Sequence, residues 1–286
     1  MPAAAIAIVL IAAAAHAVWN TVSKYKRGDT VVFVWAYSAA SALLFVPIGI
    51  VVMVVGNDTL SGHLAIGAVV SAVLHVAYSL SLQAGYDASE LGVVYPVARG
   101  IGPVLTMVAA IVLLGEHLTA AAVIGALVVV AGIMVGTGNP FGGNKNQPAR
   151  GVAWGMTTGI AIASYTLWDS YCVTTLHLSP FTYYAATMLL EALILTPGAL
   201  RRRSEIAPVL RDNTAPIATI AVLSPIAYIL VLVAMQHAPV ALVAPLRESS
   251  IVIGSLLAWR LFGESHLPRR IVGAAVVLTG IAAISF

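Results

Sequence analysis

One stretch of the chain occurs twice, and this repeat restricts the possible folds more than any other feature of the sequence. Residues 95–119 return in similar form as residues 244–268. Five residues recur unchanged 148 positions later: the pairs are Arg99/Arg247, Gly115/Gly263, Glu116/Glu264, Gly125/Gly273 and Gly132/Gly280. Three more pairs lie 149 positions apart: Pro96/Pro245, Trp19/Trp168 and Asn20/Asp169. Chance does not readily keep one offset over so many positions, so the chain is predicted to hold two copies of one unit of about 140–150 residues.

The residues of both copies are too apolar for a water-soluble protein. Hydrophobic residues make up 60% of the chain, charged residues make up 9%, and the mean hydropathy is +0.98. A soluble domain carries about 25% charged residues, so a lipid bilayer is the predicted solvent. Backbone groups in lipid must be paired within the segment or within a closed barrel. The apolar runs are unbroken and do not alternate with period two, which predicts helices.

Ten segments are long and apolar enough to cross a bilayer, which takes about 20 residues. They are residues 3–22, 31–55, 63–85, 90–114, 119–137, 150–172, 179–199, 214–236, 240–262 and 269–286. The Gly-, Pro- and Asn-containing stretch 138–149 divides them into repeats at 1–137 and 150–286. Five spans per repeat is an odd number, so the second repeat enters the membrane inverted. The predicted fold is an all-α polytopic membrane protein with ten transmembrane helices in two inverted five-helix repeats.

Basic residues predict the orientation of these spans. Loops that follow odd-numbered spans, with their flanks, hold twelve of the 14 lysines and arginines, and loops that follow even-numbered spans hold none. The twelve are Lys24, Lys26, Arg27, Lys145, Arg150, Arg201, Arg202, Arg203, Arg211, Arg260, Arg269 and Arg270. Because cytoplasmic loops carry the excess of basic residues, both termini are predicted to lie outside. Basic residues confined to loops make nucleic acid an unlikely partner.

Several motifs resemble the EamA-type branch of the drug/metabolite transporter superfamily. Each repeat closes with a Pro-containing span, a Gly-Glu turn (Gly115-Glu116 and Gly263-Glu264) and a Gly-rich helix, and the first span carries His16-Ala17-Val18-Trp19-Asn20. The resemblance implies a basket of ten helices around a central cavity. It also implies alternating access and export or exchange of small metabolites, including aromatic amino acids, across a bacterial inner membrane. Many members of this family place both termini inside, whereas the basic residues here predict the opposite.

The two arginines outside the loops are the first candidates for a substrate site. Arg99 and Arg247 lie inside predicted spans and are equivalent in the repeat. Ionisable groups in spans are costly and indicate function, and a guanidinium matches a carboxylate, phosphate or phosphonate with two parallel bonds. The alternative is an internal ion pair with a glutamate that only holds helices together. Glu191 in span 7 and Glu248 beside Arg247 are the candidates to carry a coupling proton.

Aromatic and polar side chains on neighbouring helix faces complete the predicted site. They are His16, Trp19, Asn20, His75, Tyr78, Tyr95, Tyr165, Trp168, Asp169 and Tyr228. The first three share one helix face at i, i+3 and i+4, and Tyr165, Trp168 and Asp169 repeat that spacing. Such side chains suit a wet apolar cavity between spans 1, 3, 4, 6, 8 and 9. The alternatives are an interfacial belt for the tryptophans and helix-to-helix hydrogen bonds for His16 and His75.

Two short motifs are interpreted as structural. Glu116 and Glu264 are predicted to act as caps or turn acceptors, because a carboxylate is favourable at a helix N-terminus. Glycines such as Gly132 and Gly280 allow close helix approach, which predicts packing within the chain and, as the alternative, a homodimer contact.

Other classes of protein lack support in the sequence. An intramembrane enzyme is the alternative function, together with a structural membrane protein, but motifs such as HExxH are absent from the sequence. The three lysines lie in loops, which excludes a retinal Schiff base, and the chain has no Walker motif. We therefore predict a secondary transporter that needs no metal and no cofactor. Its expected partners are a small-molecule substrate and the bilayer, and it is a monomer or a homodimer.

Overall fold

The computed structural model describes residues 1–23, 26–56, 60–88, 91–137, 148–250, 252–253 and 267–285. These residues form helices joined by short turns, without a strand among them, so the all-α prediction is confirmed for the described part of the chain. The helices are α1 (Ala3–Ser23), α2 (Thr30–Val55), α3 (Gly62–Ala88), α4 (Leu91–Leu113), α5 (Ala120–Thr137), α6 (Pro148–Thr174), α7 (Pro180–Leu200), α8 (Arg203–Asp212), α9 (Thr214–Met235), α10 (Val240–Arg247) and α11 (Leu267–Ser285).

Five of these helices are long and apolar enough to cross a membrane: α1, α2, α3, α7 and α9. Shorter apolar stretches lie within α4, α5 and α11. Large apolar side chains point outward from the longer helices, as Leu43 and Val55 do at 78% exposure each. An apolar exterior of this extent requires lipid around it. The arrangement of ten spans remains a prediction.

The helices of the two halves pack against each other reciprocally. In the predicted repeat, α1 corresponds to α6, and α3 corresponds to α9. α1 packs against α9, and α6 packs against α3, so one contact is made in both directions; α2 also packs against its equivalent α7, and α5 against its equivalent α11. Reciprocal contacts of this kind are the mark of a two-fold relation.

The crossing of α5 and α11 brings two backbones into direct contact. A methyl group on Gly132 would lie 2.9 Å from the carbonyl oxygen of Gly273, and one on Gly280 would lie 2.7 Å from that of Gly125. Each contact is the other one displaced by 148 residues. The position late in α5 meets the position early in α11, and the reverse holds as well, so the two helices run antiparallel. An inverted repeat requires this direction of its closing helices, and the inversion of the complete halves stays a prediction.

A helix occupies residues 203–212, where the sequence indicates a loop between spans. α8 buries Val209 and half-buries Ile206 against α2 and α9, while its arginines stay exposed. Asn213 follows α8, and its side chain accepts from the backbone N–H of Arg27 at 2.8 Å and donates to the Arg27 carbonyl at 2.9 Å. The charged residues of this segment are typical of a turn. Its apolar side chains nevertheless lie on one helix face, and such a face is sufficient to pack the helix against its neighbours.

The predicted span 240–262 is interrupted near its first third. α10 ends at Arg247, and the next backbone bonds join residues three apart: Glu248 N–H to Pro245 at 3.1 Å and Ser249 N–H to Leu246 at 3.1 Å. Pro245 has no N–H to donate, which weakens the helix at this place. Arg247 and Glu248 therefore lie at the C-terminal end of a short helix rather than in the middle of a long one.

Candidate functional site

Two helices from different halves of the chain bring both predicted arginines to one glutamate. Arg99, from α4, donates from Nη1 to both carboxylate oxygens of Glu248, at 3.1 and 3.0 Å. Arg247, at the end of α10, donates from Nε and Nη2 to Oε1 of Glu248, at 3.3 and 3.2 Å. We call these three residues the ionic centre. The internal ion pair that the sequence suggested as an alternative is therefore present in this structure.

The ionic centre is buried. Arg99 is 2% exposed, Arg247 is 3% exposed and Glu248 is fully buried. Two guanidinium groups bind one carboxylate from different sides, and each guanidinium carries more donors than its bonds to Glu248 use. The ionic centre thus has the chemistry to bind a further anionic group.

His16 connects the ionic centre to the more open face of α1. Arg99 Nη2 lies 2.9 Å from His16 Nε2. A guanidinium can only donate, so His16 accepts with this nitrogen and carries its ring proton on Nδ1. The Trp19 ring packs edge-on at 4.6 Å between centroids. His16, Trp19 and Asn20 are all partly exposed, so this face of α1 lies between the ionic centre and the outside of the bundle.

Asp169 forms a second buried acidic position. Tyr183 donates to its Oδ1 at 2.7 Å, and Tyr228 donates to its Oδ2 at 2.6 Å. His75 Nε2 lies 3.8 Å from Oδ2, while His75 Nδ1 lies 3.0 Å from the carbonyl of Ser71. Asp169 is fully buried. The two tyrosine hydroxyl groups replace some of the hydrogen bonds that water would donate to a charged carboxylate.

A layer of aromatic rings separates Asp169 from the ionic centre. The imidazole of His75 stacks on Tyr165 at 4.2 Å, and the ring of Tyr228 meets both of these rings edge-on. Tyr78 packs edge-on against Tyr165 at 5.4 Å. Arg247 Cζ lies 6.0 Å from the centroid of the Tyr165 ring. The layer thus has a positive group on one side and a carboxylate on the other.

Two predicted site residues, Glu191 and Trp168, form no hydrogen bond with these groups in the described part of the chain. Glu191, in α7, is partly buried, and its Oε1 has no hydrogen-bond partner among the described residues. Trp168 donates from its indole N–H to the carbonyl of Gly67 at 3.0 Å and faces a groove lined by Leu74 and Leu114 at the side of the bundle. Tyr95 belongs to α4, but its side chain lies outside the described residues.

Two tyrosines at the start of α7 belong to the site although sequence reasoning did not select them. Tyr183 bonds Asp169 directly, and Tyr184 lies 4.8 Å from Tyr228 and 5.9 Å from His75 between ring centroids. Both are buried. Both tyrosines lie near the end of a predicted span, where aromatic residues often belong to the interfacial belt. Tyr184 shares a helix face with Glu191 at i, i+7, and Tyr183 shares one with Thr187 at i, i+4, so this spacing was a signal that the sequence analysis did not use.

Comparison with known proteins adds a family and a fold. Residues 149–286 match the model of the EamA-like transporter family. A protein of known crystal structure is similar over 99% of this chain and 96% of its own, with a TM-score of 0.79 at 16% sequence identity. At this identity the likeness concerns the fold alone. No curated protein matches the chain.

The fold and the site define a multi-pass helical membrane protein with ionisable groups buried between its helices. The second half of the chain, residues 149–286, matches the EamA-like transporter family, which is part of the drug/metabolite transporter superfamily, so the resemblance predicted from the sequence is confirmed. The family indicates transport of small molecules through a membrane rather than an enzymatic reaction.

Proposed function

We propose that this protein is a secondary-active exporter or exchanger of small anionic or zwitterionic metabolites, with amino acids, aromatic ones included, as the first class to test. It works by alternating access in the inner membrane of a bacterium, with both termini outside. The observation that carries the proposal is the ionic centre: two equivalent arginines from the two halves of the chain meet at a single buried glutamate.

The two guanidinium groups assign the ionic centre to the anionic part of the substrate. A substrate carboxylate can take a place beside Glu248 or displace it from one arginine, because each guanidinium holds several donors in a planar fork. In the second case Glu248 keeps its bonds to the other arginine, so neither carboxylate is left without a donor. A site that holds its own carboxylate in the absence of substrate keeps both arginines satisfied while the protein changes conformation.

The polar groups beyond the aromatic layer suit the cationic part of a zwitterion. Asp169 lies among Tyr165, Tyr228 and His75, and aromatic faces attract an ammonium group. The rings are packed against each other in this structure, so this conformation is interpreted as occluded. Binding then requires the rings to separate, as alternating access demands in any case.

The interrupted span supports a transporter rather than a static helical protein. Transporters of many folds place their sites at discontinuous helices, where backbone groups no longer paired in a helix line the cavity. α10 ends at Arg247 in this manner. Glu191 is the better of the two candidates for proton coupling, because Glu248 is occupied by both arginines and Glu191 Oε1 is without a partner among the described residues.

The test is flux through purified protein in liposomes. We expect exchange of at least one labelled amino acid from a panel of the twenty common ones, loaded on both sides of the membrane. Arg247→Lys keeps the charge but loses the two-point fork, and we expect it to lower that flux by about tenfold or more. Arg203→Lys, at an exposed position of α8, is the matched control and should keep normal flux.

Two other results of the flux measurement would contradict the proposal. Equal flux through Arg247→Lys and Arg99→Lys, in proteins that elute as the wild type does on size-exclusion chromatography, contradicts an arginine-bound substrate. Absence of flux with the whole panel excludes amino acids and moves the search to sugar phosphates, nucleosides and phosphonates, which suit the same arginines.

A further inference from the structure

The short helix that carries Arg247 is held at its other end by a residue of the first half of the chain. Glu116, in the turn between α4 and α5, accepts from the backbone N–H of Val240 with Oε1 at 2.8 Å and from that of Ala241 with Oε2 at 3.0 Å. The first N–H groups of a helix have no partner within it. A carboxylate is a favourable partner because of its charge.

The turn that precedes Glu116 orients its side chain toward the first residues of α10. Gly115 has φ of +68°, a conformation that other residues rarely adopt. A methyl group at Gly115 would meet no atom within 4 Å, so the glycine is needed for its backbone angle and not for space. The N–H of Glu116 closes back on the carbonyl of Ala110 at 3.2 Å. Gly115-Glu116 therefore builds an acceptor for a helix of the other half, and not a cap for the helix that follows it, while its equivalent Gly263-Glu264 lies outside the described residues.

Glu116 is too far from the ionic centre to touch a substrate. α10 has 8 residues, all buried, and at about 1.5 Å per residue its two ends are ~12 Å apart. α10 packs against α4 and α5, and α4 carries Arg99. An effect of Glu116 on the site therefore has to pass through α10 as a rigid piece.

We infer that Glu116 is a positioning residue for transport: its carboxylate anchors α10 to the α4–α5 turn and so keeps Arg247 and Glu248 in register with Arg99. This inference rests on the proposed function, since the register matters for a substrate that binds both arginines. Without the anchor, the first turn of α10 loses two charge-assisted bonds, and Arg247 moves relative to Arg99. We expect misplaced donors to weaken substrate binding uniformly, which raises KM and leaves Vmax nearly unchanged.

The test compares Glu116→Gln and Glu116→Ala with the control Glu205→Gln, an exposed carboxylate of α8. Glu116→Gln keeps one carbonyl acceptor but loses the charge and the second acceptor. We expect KM for the panel amino acid with the highest wild-type flux to rise about threefold in Glu116→Gln and about tenfold in Glu116→Ala, which is less than the full loss of one and then two bonds to a charged group, because only part of that loss reaches Arg247. Vmax should change by less than twofold, on the order of experimental scatter for a uniform binding effect.

Amide hydrogen exchange gives a second measurement that needs no substrate. In detergent-purified protein, the peptide covering residues 240–247 should exchange faster in both Glu116 variants, while the peptide covering 214–235 keeps the wild-type rate. Unchanged exchange in α10 overturns the anchor. Faster exchange with unchanged KM reduces Glu116 to a structural cap and also overturns the inference. Where the wild type transports no amino acid, the proposed substrate class fails, and exchange in α10 still decides on the anchor.

Discussion

At the scale of the residue, buried carboxylates dominate the site, and each has a different set of partners. Glu248 is bound by two arginines, Asp169 accepts from two tyrosines, and Glu191 has an oxygen without a partner in the described part of the chain. A carboxylate in an apolar interior is stabilised by donors and opposite charges. The three residues are therefore expected to respond differently to removal of a donor or of the negative charge.

Removal of one donor from Asp169 should destabilise the protein. Tyr183→Phe deletes the O–H that lies 2.7 Å from Oδ1 of Asp169, and a hydrogen bond to a charged group contributes about 1.5–3 kcal/mol. We expect a loss of that size in the free energy of unfolding, measured by denaturant titration in detergent micelles. The control is Tyr171→Phe, a half-buried ring that packs on Trp168. A Tyr183→Phe protein as stable as this control contradicts the assignment.

Glu191 is predicted to link flux to a proton gradient. The expected result is that an imposed pH difference across liposomes accelerates wild-type flux several-fold, and that Glu191→Gln removes this acceleration while exchange without a gradient continues. Glu205→Gln serves as the control at an exposed position. An intact response to the gradient in Glu191→Gln would assign the coupling to another group or to a counter-substrate.

The sequence predicted that Arg99 and Arg247 are equivalent, but it did not predict that both contact Glu248. The offset of 148 positions identified Arg99 and Arg247 as equivalent, because repeated positions in repeated helices reach equivalent places. That Glu248 lies between them was not predictable, since adjacent residues on a continuous helix point about 100° apart and the interruption after Arg247 changes this direction. Tyr183 was missed because its partner Asp169 belongs to another helix.

At the scale of the element, the crossing of α5 and α11 depends on the absence of side chains. A methyl group on Gly132 would meet the backbone nitrogen of Val277 at 2.7 Å and the carbonyl oxygen of Gly273 at 2.9 Å. Backbone atoms of a helix cannot move aside as a flexible side chain does, so both helices would have to separate.

Gly132→Ala is accordingly predicted to lower the free energy of unfolding by about 1–3 kcal/mol, the usual cost of overpacking a close contact. The measurement is thermal or denaturant unfolding in the same detergent. Gly62→Ala is the control, because a methyl group there meets no atom within 4 Å. Equal stability of the two variants would show that the space between α5 and α11 accommodates a methyl group at Gly132.

Helix positions were predictable for a simple reason, and the exceptions have physical causes. Long apolar runs in lipid must form helices, so predicted spans such as 31–55 and 179–199 agree with α2 and α7 within one residue at each end. α8 was not predicted because its apolar face is only a few residues wide. The end of α10 was not predicted because Pro245 and two charged residues do not by themselves show where a helix stops.

At the scale of the whole molecule, the distribution of basic residues predicts the orientation in the membrane. Cysteines introduced at Arg203 and at Leu60 should lie on opposite sides, since Arg203 follows span 7 and Leu60 follows span 2. We expect a membrane-impermeant maleimide to label Leu60→Cys in intact cells and Arg203→Cys only after the cells are opened. Cys172 is fully buried, so wild-type protein provides the background.

Labelling of Arg203→Cys in intact cells would reverse the assignment and place both termini in the cytoplasm, as in many members of the family. The ionic centre would be unaffected by this outcome, because it lies between the halves. The exchange experiments in liposomes, where protein inserts in both directions, would keep their meaning as well.

The joining of two equivalent halves into one polypeptide has a consequence for the charge between them. Gly100 stands in the first half at the position equivalent to Glu248. In a symmetric dimer of two identical subunits, both subunits would carry the same residue at this position, so the two arginines would have either two glutamates beside them or none. In a single fused chain, the two equivalent positions can hold different residues. It can carry Glu248 in one half and Gly100 at the equivalent position of the other, an asymmetry that is possible only because the two halves differ in sequence.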